Sequence, residues 1–202
     1  MQVRLDRQGE VRYSSTMDDA PFYSGSLLLA MPGIGDPNFE RSVIALCAHD
    51  ENGALGINIG QEIPGFSLRE LLTQFDLPGE NVPEVPVLRG GPVERQRGFV
   101  LHSLDWGGQD MLQVSDRWGL SGSLDVLKAI SEGRGPTRYI VALGYAGWGK
   151  GQLEEEMTRH GWFVAPASDT ILFSTDTRTR WTAAWSASGI DASLLANQSG
   201  HA

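Results

Sequence analysis

From Pro21 onward the apolar positions come in short runs, and most of them read as strands. Leu27–Met31 reads as a buried strand that Pro32 and Gly33 stop, and Val43–His49 is a second strand-like run. Asp50-Glu-Asn-Gly53 predicts a hairpin, because Asn and Gly both tolerate positive φ. In the return strand, Ala54–Ile59, apolar residues alternate with Gly56 and Asn58. At Ser67 the period changes. Leu68, Leu71, Leu72 and Phe75 fall on one helical face, and Ser67 with Glu70 makes a capping box. Leu77–Pro86, rich in Pro and Gly, reads as a loop before strands at Val87–Arg89, Gly98–Ser103 and Met111–Val114.

Ser123 caps a second expected helix that turns Leu124, Leu127 and Ile130 inward and ends near Gly133. After a strand at Tyr139–Tyr145, a third helix covers Gln152–His160 with Leu153 and Met157 inward, closed by a left-handed Gly161. Trp162–Ala165 predicts the last strand. A fourth helix, about Thr179–Ser188, gathers Trp181, Ala184 and Trp185, and Gly189-Ile190 fits a Schellman ending with Ile190 against Trp185. Strands and single helices without regular βαβ alternation predict an α+β fold. The expected architecture is a single domain over residues 21–202, with a mixed, largely antiparallel, barrel-like sheet and about four flanking helices. Residues 1–20 are polar with alternating charge and predict a flexible arm, and Met17 is an alternative start.

Charge narrows the partners. With 16 basic against 25 acidic residues, the formal net charge is −9, and no basic cluster longer than two residues interrupts it. Nucleic-acid binders draw most of their affinity from Lys and Arg on phosphates, so direct DNA binding is disfavoured. The lone Cys47 excludes an intrachain disulfide or a multi-cysteine metal site, and it reads as a small buried thiol. No run approaches the ~18 apolar residues of a membrane span. The N-terminus has no hydrophobic signal core, so a cytoplasmic location is expected.

Candidate chemistry clusters at strand ends. Gly33–Arg41 places Asp36, Phe39, Glu40 and Arg41 in one turn-forming run. It reads as a structural loop tied by Asp36–Arg41 or Glu40–Arg41, or as a ligand-facing loop. Gly144–Gly151 fits G-x-x-x-x-G-K, yet Gly151 stands where a phosphate loop needs Ser or Thr, and Glu154–Glu156 would repel a polyphosphate. A glycine-rich turn closed by Tyr145 and Trp148, or a small-ligand or partner pocket, fits better. Glu154, Glu155 and Glu156 read as a solvated helix face. None of the four histidines approaches a metal spacing, and His102 is a strand-end candidate for a ligand contact or a hydrogen-bonded edge residue. In Leu88–Val93, Gly90 and Gly91 let a backbone come close, with the 33–38 loop as the suggested neighbour. If these loops converge, Asp36, Arg41, Arg89, Gly90, Gly91, His102, Tyr145 and Trp148 form the candidate ligand-binding set. No catalytic residue, metal or cofactor is assigned.

Several of these stretches together resemble the YqgE/AlgH family of small bacterial proteins. They are the 25–41 run, Asn52–Gly56, Leu88–Val93, Arg97–His102, Gly144–Glu154 and the terminal Gly200-His-Ala, in the family's order. The resemblance implies a cytoplasmic α/β-type protein without a settled biochemical activity, and some members are labelled transcriptional regulators. Two functions follow as expectations. One is a non-enzymatic binding or regulatory module for a small metabolite or protein partner. The other is a small-molecule enzyme with a site over loops 33–41, 89–102 and 145–154, which requires His102, Asp36 and Glu154 to meet.

Overall fold

The computed structural model describes residues 4–5, 11–12, 22–108, 110–159 and 161–196. Strands β1 (Arg4–Leu5) and β2 (Val11–Arg12) pair with each other. The rest of the expected arm over residues 1–20 lies outside the described residues, as does the Gly200-His-Ala terminus.

Then come β3 (Ser26–Ala30), β4 (Val43–Asp50), β5 (Gly53–Asn58), β6 (Glu62–Ser67), α1 (Leu68–Gln74), β7 (Pro86–Arg89), β8 (Val93–Ser103), β9 (Met111–Gln113) and β10 (Trp118–Ser121). The chain continues through α2 (Leu124–Ser131), β11 (Tyr139–Gly149), α3 (Gln152–Thr158), β12 (Trp162–Pro166), a π-helical turn at Thr170–Ser174, α4 (Thr177–Ala187) and α5 (Ala192–Ala196). β3–β12 form one ten-stranded sheet in the order β12-β3-β4-β5-β11-β8-β10-β9, with β6 and β7 joined through β11. All pairs are antiparallel except β7 with β11, and the sheet curls into a half-barrel in an α+β domain.

Alternation along the strands divides the core. Leu27, Leu29, Val43, Ala45 and Cys47 pack with Trp181 and Trp185 of α4 on one face. Leu28, Ala30, Ile44 and Leu46 face the other way, under Leu153 of α3. Val100 and Val141 share that second face under α1 and α2. Burying each such leucine stabilises the fold by about 1.5–3 kcal/mol. Within β11, Val141 lies on the α1/α2 side, yet Ala146 and Trp148 lie on the α3 side of the same face. A strict period of two would send them to opposite faces, and Gly144, at φ 76°, resets it by one residue. That is why the apolar pattern reads as ending near Tyr145 while the strand runs on to Gly149.

Local signals hold where they are self-contained. The Asp50↔Gly53 hairpin closes as expected, and Ser67 and Glu70 form the reciprocal capping box. Gly189 N–H donates to the Ser186 carbonyl and Ile190 N–H to that of Trp185, which completes the Schellman ending. Four details differ. Phe75 and Leu124, expected inward, are 47% and 48% exposed. Val126, Leu127 and Ile130 make the buried stripe of α2, and the Ser123 side chain makes no capping bond. Gly161 is not left-handed, whereas Gly151, entering α3, is. β6, β10, the π-helical turn and α5 escape the sequence pattern, β6 because Pro64 and Gly65 read as a loop.

Candidate functional site

The 33–41 loop is held by its own short bonds. Asp36 Oδ1 accepts from the backbone N–H and side-chain amide of Asn38 at 2.8 and 2.9 Å. Arg41 adopts φ 51° and lays its guanidinium 5.8 Å from the ring centre of Trp181. Neither expected tie, Asp36–Arg41 or Glu40–Arg41, is among the ion pairs of the described residues.

Phe39 carries this loop onto the 145–151 segment. Its ring stacks 6.5 Å from Trp148 and meets the edge of Trp162 at 5.4 Å. Both indole N–H groups donate to Glu156 Oε2, at 2.9 Å from Trp148 and 2.8 Å from Trp162, while Gln152 donates to Oε1. Nearby, Tyr23 N–H donates to His49 Nδ1, so the proton sits on Nε2 and is donated to Glu154 Oε1 at 2.9 Å. The three glutamates are therefore not one solvated face. Glu156 and Glu154 anchor buried partners, and Glu155 pairs with Arg159 on the surface. Gly144–Gly149 belongs to β11, where Ala146–Gly149 pair with β5, so the expected turn is a strand and its ladder occupies backbone groups that a phosphate would need.

Gly90 and Gly91 do approach a backbone closely, but it is β11 and not the 33–38 loop. A Cβ on Gly90 would lie 2.2 Å from the Gly144 carbonyl oxygen, and one on Gly91 2.1 Å from the Tyr145 carbonyl carbon. Gly90 N–H donates to Leu143 O, and Gly90 O accepts from Asn58 N–H, each at 2.8 Å. Beside this crossing the 33–41 loop and the 89–95 turn converge on a notch of about 10 Å³, lined by Asn38, Asn58, Gln61, Arg89, Gly91 and Arg95 with Pro92. Arg89 and Gly91 of the candidate set thus come together, with Asp36 one step away through Asn38. Tyr145 lies half-buried with its ring against Phe99, and Trp148 is 6% exposed inside its cluster.

His102 does not join them. It pairs with Tyr139 of β11, whereas Val93 beside the glycine turn pairs with Tyr145, and six residues of strand span roughly 20 Å. The imidazole is fully buried, with Nδ1 donating to Ser103 O and Nε2 accepting from Ser121 Oγ, both at 2.9 Å. Burial holds its pKa below the usual histidine value, opposed by the Ser103 carbonyl and the Asp105 charge. Both of its ring nitrogens thus have partners within the protein. Burial likewise pushes the Cys47 thiol up, as befits an inert core cysteine.

A larger recess lies elsewhere. Between α1, α2 and the strands β8 and β11 opens a cleft of about 220 Å³. Leu71, Phe75, Val100, Leu127 and Leu143 line it, and Gln96 and Ser123 are polar members. The exposed Phe75 and Leu124 belong to this lining, which accounts for apolar side chains outside the core. Sequence reasoning missed it, because Phe75 and Leu124 fit core stripes of their own helices. No group of three or more His, Cys, Asp or Glu among the described residues has the arrangement to hold a metal. No helix among them is long and apolar enough to cross a membrane.

Fold and site together define a small α+β protein with a half-barrel sheet, an apolar cleft and a polar notch. The AlgH-like family model matches residues 27–193, and the chain belongs to that family. It is 56% identical to a UPF0301 protein of Rhizorhabdus wittichii over 92% of this chain and all of that one. A UPF0301 protein of Novosphingobium aromaticivorans is 55% identical over the same shares. The solution structure of the AlgH protein from Pseudomonas aeruginosa superposes with a TM-score of 0.74 at 39% identity, covering 92% of this chain and 98% of that one. A Corynebacterium diphtheriae crystal structure, at 20% identity and a TM-score of 0.70, shares the fold over 89% of this chain and 94% of that one.

Proposed function

We propose that this chain is a non-enzymatic binding or regulatory module of the bacterial cytoplasm. It takes a small, largely apolar ligand in the α1/α2 cleft and acts through that ligand or a protein partner, without touching DNA itself. The cleft carries the reading. Small-molecule sites are concave, mostly apolar and supplied with a few polar groups, and about 220 Å³ with Gln96 and Ser123 among apolar walls has that character. An apolar cavity of about 150 Å³ already holds a benzene ring, so this cleft takes one aromatic ring with a short substituent or a short acyl chain. The net charge of −9 supports the exclusion of duplex DNA. The placement of His102 on β8 away from the glycine turn counts against the acid–base set that the enzymatic alternative required.

A thermal-shift screen with small aromatic and acyl compounds tests this, since a ligand specific to the native state raises Tm. Leu143→Phe, which narrows the cleft from a half-buried position, should abolish the shift. Hits that survive Leu143→Phe would place the ligand elsewhere, and specific nanomolar binding to duplex DNA at about 150 mM salt would overturn the regulatory route.

A further inference from the structure

We infer that the notch beside the glycine crossing is a second site, one that captures the oxyanion end of a small ligand between Arg89 and Arg95. In a chain with 25 acidic residues against 16 basic ones, most exposed arginines have carboxylate partners: Arg69, Arg97, Arg117, Arg134, Arg138, Arg159 and Arg178 all do. Arg89 and Arg95 line one recess, and among the described residues neither pairs with a carboxylate. Arg95 Nε reaches only the Pro92 carbonyl, at 3.4 Å. Two nearby carboxylates are engaged elsewhere. Asp36 Oδ1 binds Asn38, and Glu94 pairs with Arg97 at 3.1 Å.

The backbone explains why these two arginines share a recess. Leu143 pairs with Gly98 and Tyr145 with Val93, so residues 94–97 of β8 bulge out against the single residue Gly144. A bulge of this kind re-aims side chains. Arg95 is thrown toward Pro92, while Arg89, the last residue of β7, arrives in register with Leu143 on the other edge of β11. A Cβ at Gly144 would press on the Cα of Arg95 at 3.3 Å, so the glycine preserves the placement. The floor is polar: Asn58 is 1% exposed, its amide donating to Ser42 Oγ and its carbonyl oxygen accepting from Gly60 N–H. About 10 Å³ is room for one water-sized group, so the notch itself seats a single oxygen of a carboxylate or phosphate. The body of the ligand lies outside, within reach of the two arginines, whose guanidinium forks suit such oxyanions in geometry as well as charge.

The probes are inorganic phosphate and acetate, titrated at constant ionic strength against sodium chloride, with Tm and amide NMR shifts as readouts. One or both anions should raise Tm and shift the amides of Gln61 and Gly91, and which one does so separates phosphate from carboxylate as the group recognised. Arg89→Gln and Arg95→Gln should each weaken binding about tenfold, and the double variant should remove the response. The paired surface variant Arg117→Gln/Arg159→Gln should retain it. An equal response in the Arg89→Gln/Arg95→Gln protein overturns the site, as does a wild-type protein that responds to neither anion at millimolar concentration. Tighter binding to a short single-stranded oligonucleotide than to either small anion overturns the ligand class.

Discussion

Two patches of the same sheet face are covered in opposite ways. Under α3, Trp148, Trp162, Phe39 and Leu153 interlock, and a single carboxylate oxygen of Glu156 accepts both indole N–H groups. Under α1 and α2, Leu68, Leu72, Val126 and Ile130 are buried, but Phe75 and Leu124 stand 47% and 48% exposed around an open cleft. The first patch satisfies its polar atoms internally and leaves little room. The second keeps apolar surface in contact with water, an arrangement that a bound apolar ligand would relieve. The contrast separates conserving the fold from presenting a site, although both patches rest on β11.

The largest expected effect is on the sealed patch. Trp148→Ala removes an indole from a packed cluster and strips one donor from Glu156, so it should destabilise by about 3–5 kcal/mol in urea unfolding. A loss under about 1 kcal/mol would mean that the patch relaxes as easily as the open one. Glu156→Ala leaves two indole N–H groups without their acceptor and should cost roughly 2–3 kcal/mol, whereas Glu156→Gln, which keeps an acceptor oxygen, should recover much of it.

Acidification probes the other side, because His102 meets the edge of Trp106, which packs on the α1/α2 cluster. Its folded pKa lies below the ordinary value of about 6.5. The unfolded chain therefore takes up the proton first, and the stability that the neutral histidine contributes is lost as pH falls from about 6.5 through the folded pKa. Urea midpoints at pH 7 and pH 5 should show this slope, and His102→Gln should flatten it.

The smallest effects sharpen the comparison most. Phe75→Ser and Leu124→Ser should change stability by no more than about 0.5 kcal/mol, since both side chains are already half in water. They should nevertheless reduce binding of any cleft ligand, and a cost of several kcal/mol would show that the rim is core. Lys150→Ala should alter neither stability nor any response to ATP·Mg²⁺, because Lys150 is exposed and β11 engages the backbone of the glycine-rich segment. Saturable micromolar ATP binding that vanishes in this variant would reverse that reading.

Features whose partners lie within a few residues were legible from the chain alone. The Ser67–Glu70 box, the Asn52-Gly53 hairpin and the Trp185–Ile190 helix ending each close through short-range bonds, so residue type and spacing determine them. The family motifs were legible for the same reason, as strings of residues. The candidate site was legible only in part: Arg89 and Gly91 reach the notch, but Arg95, Gln61 and Asn58 arrive through pairings that no local pattern specifies.

Tertiary structure decided the rest because those choices depend on what lies across the sheet. Gly91 faces Tyr145, 54 positions away, and nothing near Gly91 in the chain announces that neighbour. Glu154 and Glu156 look like any acidic helix start until His49 and two indoles come within 2.9 Å of them. Phe75 and Leu124 share helical faces with buried leucines, and only the spacing of α1 from α2 leaves them at a cleft. Periodicity assigns a side chain to a face of its own element. Whether that face meets a partner, a ligand or water is settled by long-range packing, which joins segments whose separation along the chain carries no pattern.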